Sequence, residues 1–339
     1  MTSRARFAKV DHEVAALVER AVAAGRRCLV HVLAGSKTGL YAPSFDAAER
    51  LRARFIGDVE IVVDACQMRV PPERVRACLA AGWMVLVTGS KFFGGPPFAG
   101  ALLIPAEIVA RASGLAPLPT GLADYFSRPE WPRALQHLTA CLPQTANLGL
   151  VLRWRAALWE MQAFQAVPGE QRARIMSELG GAIRTALDRS CRLQPVPIER
   201  SGGDWPPTIF PFEVMRAAAD GGAQPIDAKM IRQVHRWLNA DIARWLPPAT
   251  PCSARRLAAL PCHLGQPVEL ARTAALRICI GAHLVWETAF DESLGSSLEA
   301  RLEAQIQRAR LVVRKAELIA QYYGTLCAVP AAAMHGRSA

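Results

Sequence analysis

Three short apolar runs, CLVHVLA at 28–34, VEIVVDA at 59–65 and MVLVTG at 84–89, are separated by segments of helical periodicity, and this alternation restricts the chain more than any other feature. Near-continuous Val, Ile and Leu suit strands covered on both faces. Strand–helix–strand repetition calls for a parallel sheet with right-handed crossovers. A helix ahead of the first strand is predicted from the stripe Val14, Leu17, Val18 and Val22. The loop GSKTGLYAPS supplies turn residues, and Ser44 is placed to cap the helix of SFDAAERLRARF. Pro71 and Pro72 open a further helix running to Ala81. The run AGALLIP at 99–105 follows a Gly/Pro turn too short for a crossover, so it is expected to pair antiparallel and make the sheet mixed.

Residues 113–143, rich in Pro, Gly and aromatics, read as a connecting segment, after which ANLGLVLRWRAALWEMQAF begins a long helix. Helices over 170–189, 227–244 and 296–321, with strands at TIFPFEV (208–214) and ALRICIGA (275–282), predict a smaller α+β domain. The expected fold class is α/β, a mostly parallel sheet with helices on both faces, with domains dividing as 1–145 and 146–339. No internal repeat is visible.

The 339 residues carry 40 Lys and Arg against 29 Asp and Glu, a net charge of +11. Lysine occurs only at 9, 37, 91, 229 and 315, so the basic character is almost wholly arginine's. These arginines lie beside Glu and Asp without a basic run or interleaved aromatics, and no nucleic-acid partner is expected. No apolar run approaches the roughly 18 residues of a membrane span, so no membrane partner is expected either. The first residues mix basic groups with Asp11, Glu13 and Glu19, which reads as a cytoplasmic protein. Nine cysteines lack C-x-x-C spacing and read as reduced thiols. Only Cys262 and His263 adjoin, so no metal site is expected.

Two charged residues stand out because they end strands. In a parallel sheet, ligand groups collect at the carboxyl edge, where loops and helix N-termini open a crevice. Asp64 and Lys91 both lie at such ends, one crossover apart, and their side chains can face one bound molecule. An aromatic aldehyde with a ring nitrogen and a phosphate would engage both: the amine through a Schiff base, the carboxylate by keeping the ring nitrogen protonated. Gln67 could then meet a ring hydroxyl, and Thr88 and Ser90 a phosphate. His31, inside a strand, is expected in the core.

The order VDACQ, TGSK, FFGGPPFAGALLIP resembles the fold-type-I, class V aminotransferase family, which includes cysteine desulfurases. The resemblance covers residues 28–105 and again the region of 277. It implies pyridoxal 5'-phosphate as cofactor, an amino acid as substrate, and a homodimer. It assigns Asp64 and Gln67 to the ring, Lys91 to the aldehyde, and Thr88 to the phosphate. Ser90 stands where the family usually has His. SKTG is similar to an Asn-x-x-Gly segment and would place Ser36 near the ring hydroxyl, while ALRICIGA would give Arg277 the substrate carboxylate, which a guanidinium fork suits. The family normally carries a further segment ahead of the strand at 28–34, with the turn that cups the phosphate. A shortened enzyme and a cofactor-free relic acting as an interaction protein are therefore both open. A cysteine desulfurase is a third reading, with Cys252 or Cys262 as mobile thiol.

Overall fold

The computed structural model describes residues 3–112, 114–197, 205–217, 221–271 and 273–329. Helix α1 (Ser3–Ala23) leads into β1 (Cys28–Ala34), β2 (Tyr41–Ala42), α2 (Phe45–Arg54), β3 (Val59–Asp64), α3 (Pro72–Ala80), β4 (Met84–Thr88) and β5 (Gly100–Leu103). Then come α4 (Ala106–Ala112), three 3-10 turns and α5 (Leu148–Ala166). The strands form one sheet in the order β2-β1-β3-β4-β5. The inner pairs β1–β3 and β3–β4 are parallel, and β2 and β5 are antiparallel edges, so the mixed sheet is as expected. Helix α2 starts where Ser44 Oγ accepts from Ala47 N at 3.1 Å. Asp11 of α1 grips that cap, accepting from Ser44 N at 2.8 Å and from Ser44 Oγ at 2.6 Å.

One sheet face carries Val30, Val32, Ile61, Val63 and Val85, buried with Val18 of α1, Ala48 and Leu51 of α2 and Cys78 of α3. On the other face Val62 is also buried, and Arg111 of α4 reaches Glu60 at 2.7 Å. Helices therefore lie on both faces. The expectation for His31 is overturned, because its side chain is 57% exposed. Strand alternation sets Leu29, His31 and Leu33 opposite the buried Val30, Val32 and Ala34, and the apolar composition of β1 concealed that period of two.

The chain divides into two compact units, Met1–Ala166 with Glu199–Trp205 and Gly281–His283, and Val167–Ile198 with Pro206–Ile280 and Leu284–Ala339. Later elements are α6 (Gly169–Asp188), β6 (Leu193–Pro195), β7 (Ile209–Ala217), β8 (Ala223–Pro225), α7 (Ala228–Leu238) and α8 (Cys252–Ala259). They continue with β9 (Val268–Glu269), β10 (Ala274–Cys279), α9 (Ala282–Phe290), α10 (Leu298–Gln321) and α11 (Tyr323–Cys327). Their sheet, β6-β7-β10-β9 with β8 on β7, is antiparallel throughout. Helix α6 buries Ile175, Leu179, Ile183 and Leu187. Its Gly180 admits Phe210, whose Cζ would lie 2.9 Å from an added Cβ.

Helix α7 stops at Leu238, short of the expected 244. Asn239 caps it by donating to His235 O at 2.8 Å, and Asp241 accepts from Ala243 N at 2.9 Å to open a 3-10 turn. Helices α4 and α8 were not anticipated. Each is short and α8 follows Pro251, a residue whose missing N–H is harmless at a helix start. Lys315 of α10 is fully buried and donates to Leu238 O at 2.9 Å, Ala240 O at 2.7 Å and Leu260 O. Its three protons thereby cap the end of α7 and the turn after α8.

Candidate active site

Parallel registration aligns Leu33 with Asp64 and Asp64 with Leu86, so the loops after β1, β3 and β4 leave from one edge of the sheet. At that edge Asp64 Oδ1 accepts from Cys66 N at 2.9 Å, and Oδ2 lies 3.6 Å from His31 Nε2. The Cys66 thiol is pushed up to about 12 by burial first, then by its hydrogen bond to Asp64 and by that carboxylate's charge, while Lys91 pulls the other way. Lys91 follows β4 on a loop that leaves from this same edge. Gln67, three residues beyond Asp64, sits on a loop pressed against the turn after β1, where a Cβ added at Gly35 would lie 3.8 Å from Gln67 Cβ. Met68 closes this loop with φ at 51°, a strained conformation for a side chain of its kind, and its N–H donates to Ala65 O at 2.7 Å.

The lysine loop is held from within. Buried Thr88 donates its hydroxyl to Ala99 O at 2.8 Å and accepts from Ser90 N at 3.2 Å, with Ser90 Oγ at 2.8 Å. A hydroxyl has one proton and two lone pairs, so Thr88 is fully committed. It shapes the loop instead of reaching outward. Phe92 and Phe93 are buried and meet Phe164 of α5 edge-on at 5.2 and 5.7 Å. Helix α5 crosses so closely that a Cβ on Gly89 or Gly95 would meet Ala157 Cβ at 2.2 or 2.8 Å. Lys91 is consequently an exposed cation at the edge of a rigid, aromatic-anchored turn.

Ser36 is likewise turned inward, its Oγ accepting from Thr38 N at 3.1 Å and Leu40 N at 3.0 Å. Arg277 lies on β10 in the second unit, paired in register with Pro211, and Gly265 passes so near that an added Cβ would sit 3.0 Å from its Nε. The structure therefore brings the loops bearing Asp64, Gln67 and Lys91 to one sheet edge, sets His31 and Cys66 against Asp64, and engages the hydroxyls of Thr88 and Ser36 within their own loops. His31 could have been found from the strand period, which sets it on the same face as Asp64. Cys66 carried no such signal. Of the thiols considered as mobile nucleophiles, Cys252 is exposed as the first residue of α8, and Cys262 is buried, with burial raising its thiol.

Among the described residues no helix is long and apolar enough to cross a membrane, and no group of three or more His, Cys, Asp and Glu is placed to hold a metal ion. No family model matches the chain. No curated protein matches it. Solved structures do. The Oryza sativa protein TDC with PLP and tryptamine matches at 13% identity and a TM-score of 0.47, covering 91% of this chain and 52% of that one. The cystine C-S lyase C-DES with its reaction product cysteine persulfide matches at 14% identity and 0.45, covering 83% and 60%. A phosphoserine aminotransferase, SerC from Cytophaga hutchinsonii, matches at 13% and 0.43, covering 84% and 62%. The chain spans between 52% and 62% of these three proteins. Likeness at this level does not bear on the reaction.

Proposed function

We propose that the strand-tip site of the first unit holds pyridoxal 5'-phosphate, and that the protein is a PLP-dependent enzyme acting on an amino acid, most simply as an aminotransferase. The observation that carries this reading is the parallel register of β3 with β4, which pairs Asp64 with Leu86 and sends the loop bearing Lys91 out from the same sheet edge. An acid and an amine at one edge of a sheet suit the two ends of a pyridine aldehyde. Cys66 N engages Asp64 Oδ1, so Oδ2, 3.6 Å from His31 Nε2, would be the oxygen that holds a proton at the ring nitrogen. Lys91 Nζ would hold the aldehyde end, and it would be the base that moves a proton at the substrate α-carbon. Gln67 would hydrogen-bond the ring hydroxyl, and the family resemblance gives Arg277 the substrate carboxylate.

When bound, the cofactor supplies an electron-poor ring that stabilises negative charge at that carbon. The phosphate end fits less well. Thr88 spends its hydroxyl proton on Ala99 O, which makes it a positioning residue in this proposal; Ser36 Oγ accepts from two backbone N–H groups and lies 2.9 Å from Thr38 Oγ1, and Ser90 is tied to Thr88. Donors for the phosphate must come from elsewhere, such as the backbone or a second subunit of the proposed homodimer.

Addition of pyridoxal phosphate to the purified protein is expected to give a visible absorbance band, bleached by borohydride, with the reduced adduct mapped to Lys91 by peptide mass. The Lys91→Ala protein is expected to show no band. A wild-type protein without a band would favour the cofactor-free interaction protein, a reading that the committed hydroxyls and the closeness of His31 to Asp64 support.

A further inference from the structure

We propose a second ligand site, for a nucleoside phosphate, in the segment that joins β5 and α4 to α5. A cavity of about 400 Å³ there is lined by Arg128, Pro129, Trp131, Arg133, Gln136 and Gln144. Its size falls in the roughly 300–1,000 Å³ range of small-ligand sites. None of the residues proposed for the strand-tip site lines it, and the proposed reaction makes no use of it.

Two positive charges share this cavity, and among the described residues neither Arg128 nor Arg133 has a carboxylate within 4.0 Å. Many of the chain's other arginines do, Arg52, Arg76, Arg111 and Arg174 among them. Like charges lining one concave surface repel, and an anion between them removes that cost.

Arg128 is also held ready. Its N–H donates to Pro143 O at 2.8 Å and its Nη2 to Ala140 O at 3.1 Å, while Nε is covered and has no partner among the described residues. A guanidinium fixed by its own backbone loses little freedom when it binds, and the fork geometry matches phosphate oxygens. Arg133 and Gln136 stand three apart in a 3-10 helix, where side chains at that spacing eclipse and project together.

The remaining wall selects the ring. The Trp131 indole is pinned edge-on by Phe126, with centroids 6.2 Å apart and an interplanar angle of 82°. A planar base can stack on a fixed indole, and the carboxamides of Gln136 and Gln144 each offer a donor and an acceptor to its edge. Charge, aromatic wall and amides together favour a nucleotide over a bare anion.

The test is calorimetric titration of the full chain with ADP, inorganic phosphate and adenosine. ADP is expected to bind saturably and more weakly as salt rises, with inorganic phosphate weaker and adenosine weaker still. Arg133→Gln, an exposed position, should lower ADP affinity about tenfold or more, and Arg128→Met with Arg133→Gln should abolish it. Trp131→Leu should weaken ADP and leave inorganic phosphate unchanged. Lys91→Ala should bind ADP as the wild type does. Absence of saturable ADP binding overturns the proposal, as does equal affinity in wild type and Arg133→Gln at matched thermal stability. Loss of ADP binding in Lys91→Ala would assign the ligand to the strand-tip site and overturn it too. Inorganic phosphate binding as tightly as ADP would refute the nucleotide.

Discussion

Cys66 is the residue whose chemistry the fold alters most visibly. With its thiol pushed up to about 12, it stays protonated through neutral pH, and only the thiolate attacks electrophiles. Alkylation by iodoacetamide at pH 8, followed by mass spectrometry, is expected to label exposed Cys191 and Cys252 well before Cys66. Asp64→Asn removes a charge that raises this thiol, and should speed its labelling. The same shift links to stability. The folded thiol holds its proton more tightly than the ordinary value of 9.0, so its contribution is complete below that pH and is lost as pH rises toward about 12. The stability difference between wild type and Cys66→Ala, measured by urea denaturation, should therefore change across that window and be constant below it.

Helix α5 and the lysine loop are a matched pair of elements. Ala157 occupies the hollow left by Gly89 and Gly95, and any larger residue at either glycine must push the helix or the loop aside. Gly89→Ala is expected to lower the melting temperature by several degrees, the size of an overpacking cost of roughly 1–3 kcal/mol. Adding Ala157→Gly should restore part of the loss, although that change itself weakens a helix by about 1 kcal/mol. In the second unit, Lys315 plays the comparable part between α10 and the end of α7. Burial pushes its ammonium below the ordinary lysine range, yet all three protons have carbonyl acceptors. Lys315→Met would take a donor from each of those carbonyls, leaving Leu238 O only its bond from Cys262 N, and a destabilisation on the order of 3 kcal/mol is expected in chemical denaturation.

At the scale of the whole molecule, the apolar surface of α5 asks for cover. Leu148, Val151, Leu152 and Trp159 are each more than half exposed on a helix whose spacing sets 148, 152 and 159 along one side. A homodimer, proposed above from resemblance, would bury such a face. Sedimentation velocity is expected to give a dimer for the wild type and a monomer for Leu152→Glu with Trp159→Glu. A wild-type monomer would refute it.

The strand–helix rhythm of the first unit, the antiparallel return of β5 and the cap at Ser44 were legible in the chain, because periodic burial and turn chemistry are written in neighbouring residues. Asp64 and Lys91 could be placed at strand ends for the same reason. The partners of those residues could not. Thr88 is spent on Ala99, Gly89 is demanded by Ala157, His31 is brought against Asp64, and Cys66 keeps its proton through burial first and then through Asp64. Most of these contacts join residues from 11 to 68 positions apart, and which hydroxyl is occupied or which face of β1 lies open depends on packing that no local pattern encodes. Local periodicity determined where the strands run; only the tertiary structure decided which side chains at their tips remain available, since hydrogen-bonding capacity is used up by whichever group arrives from elsewhere in the chain.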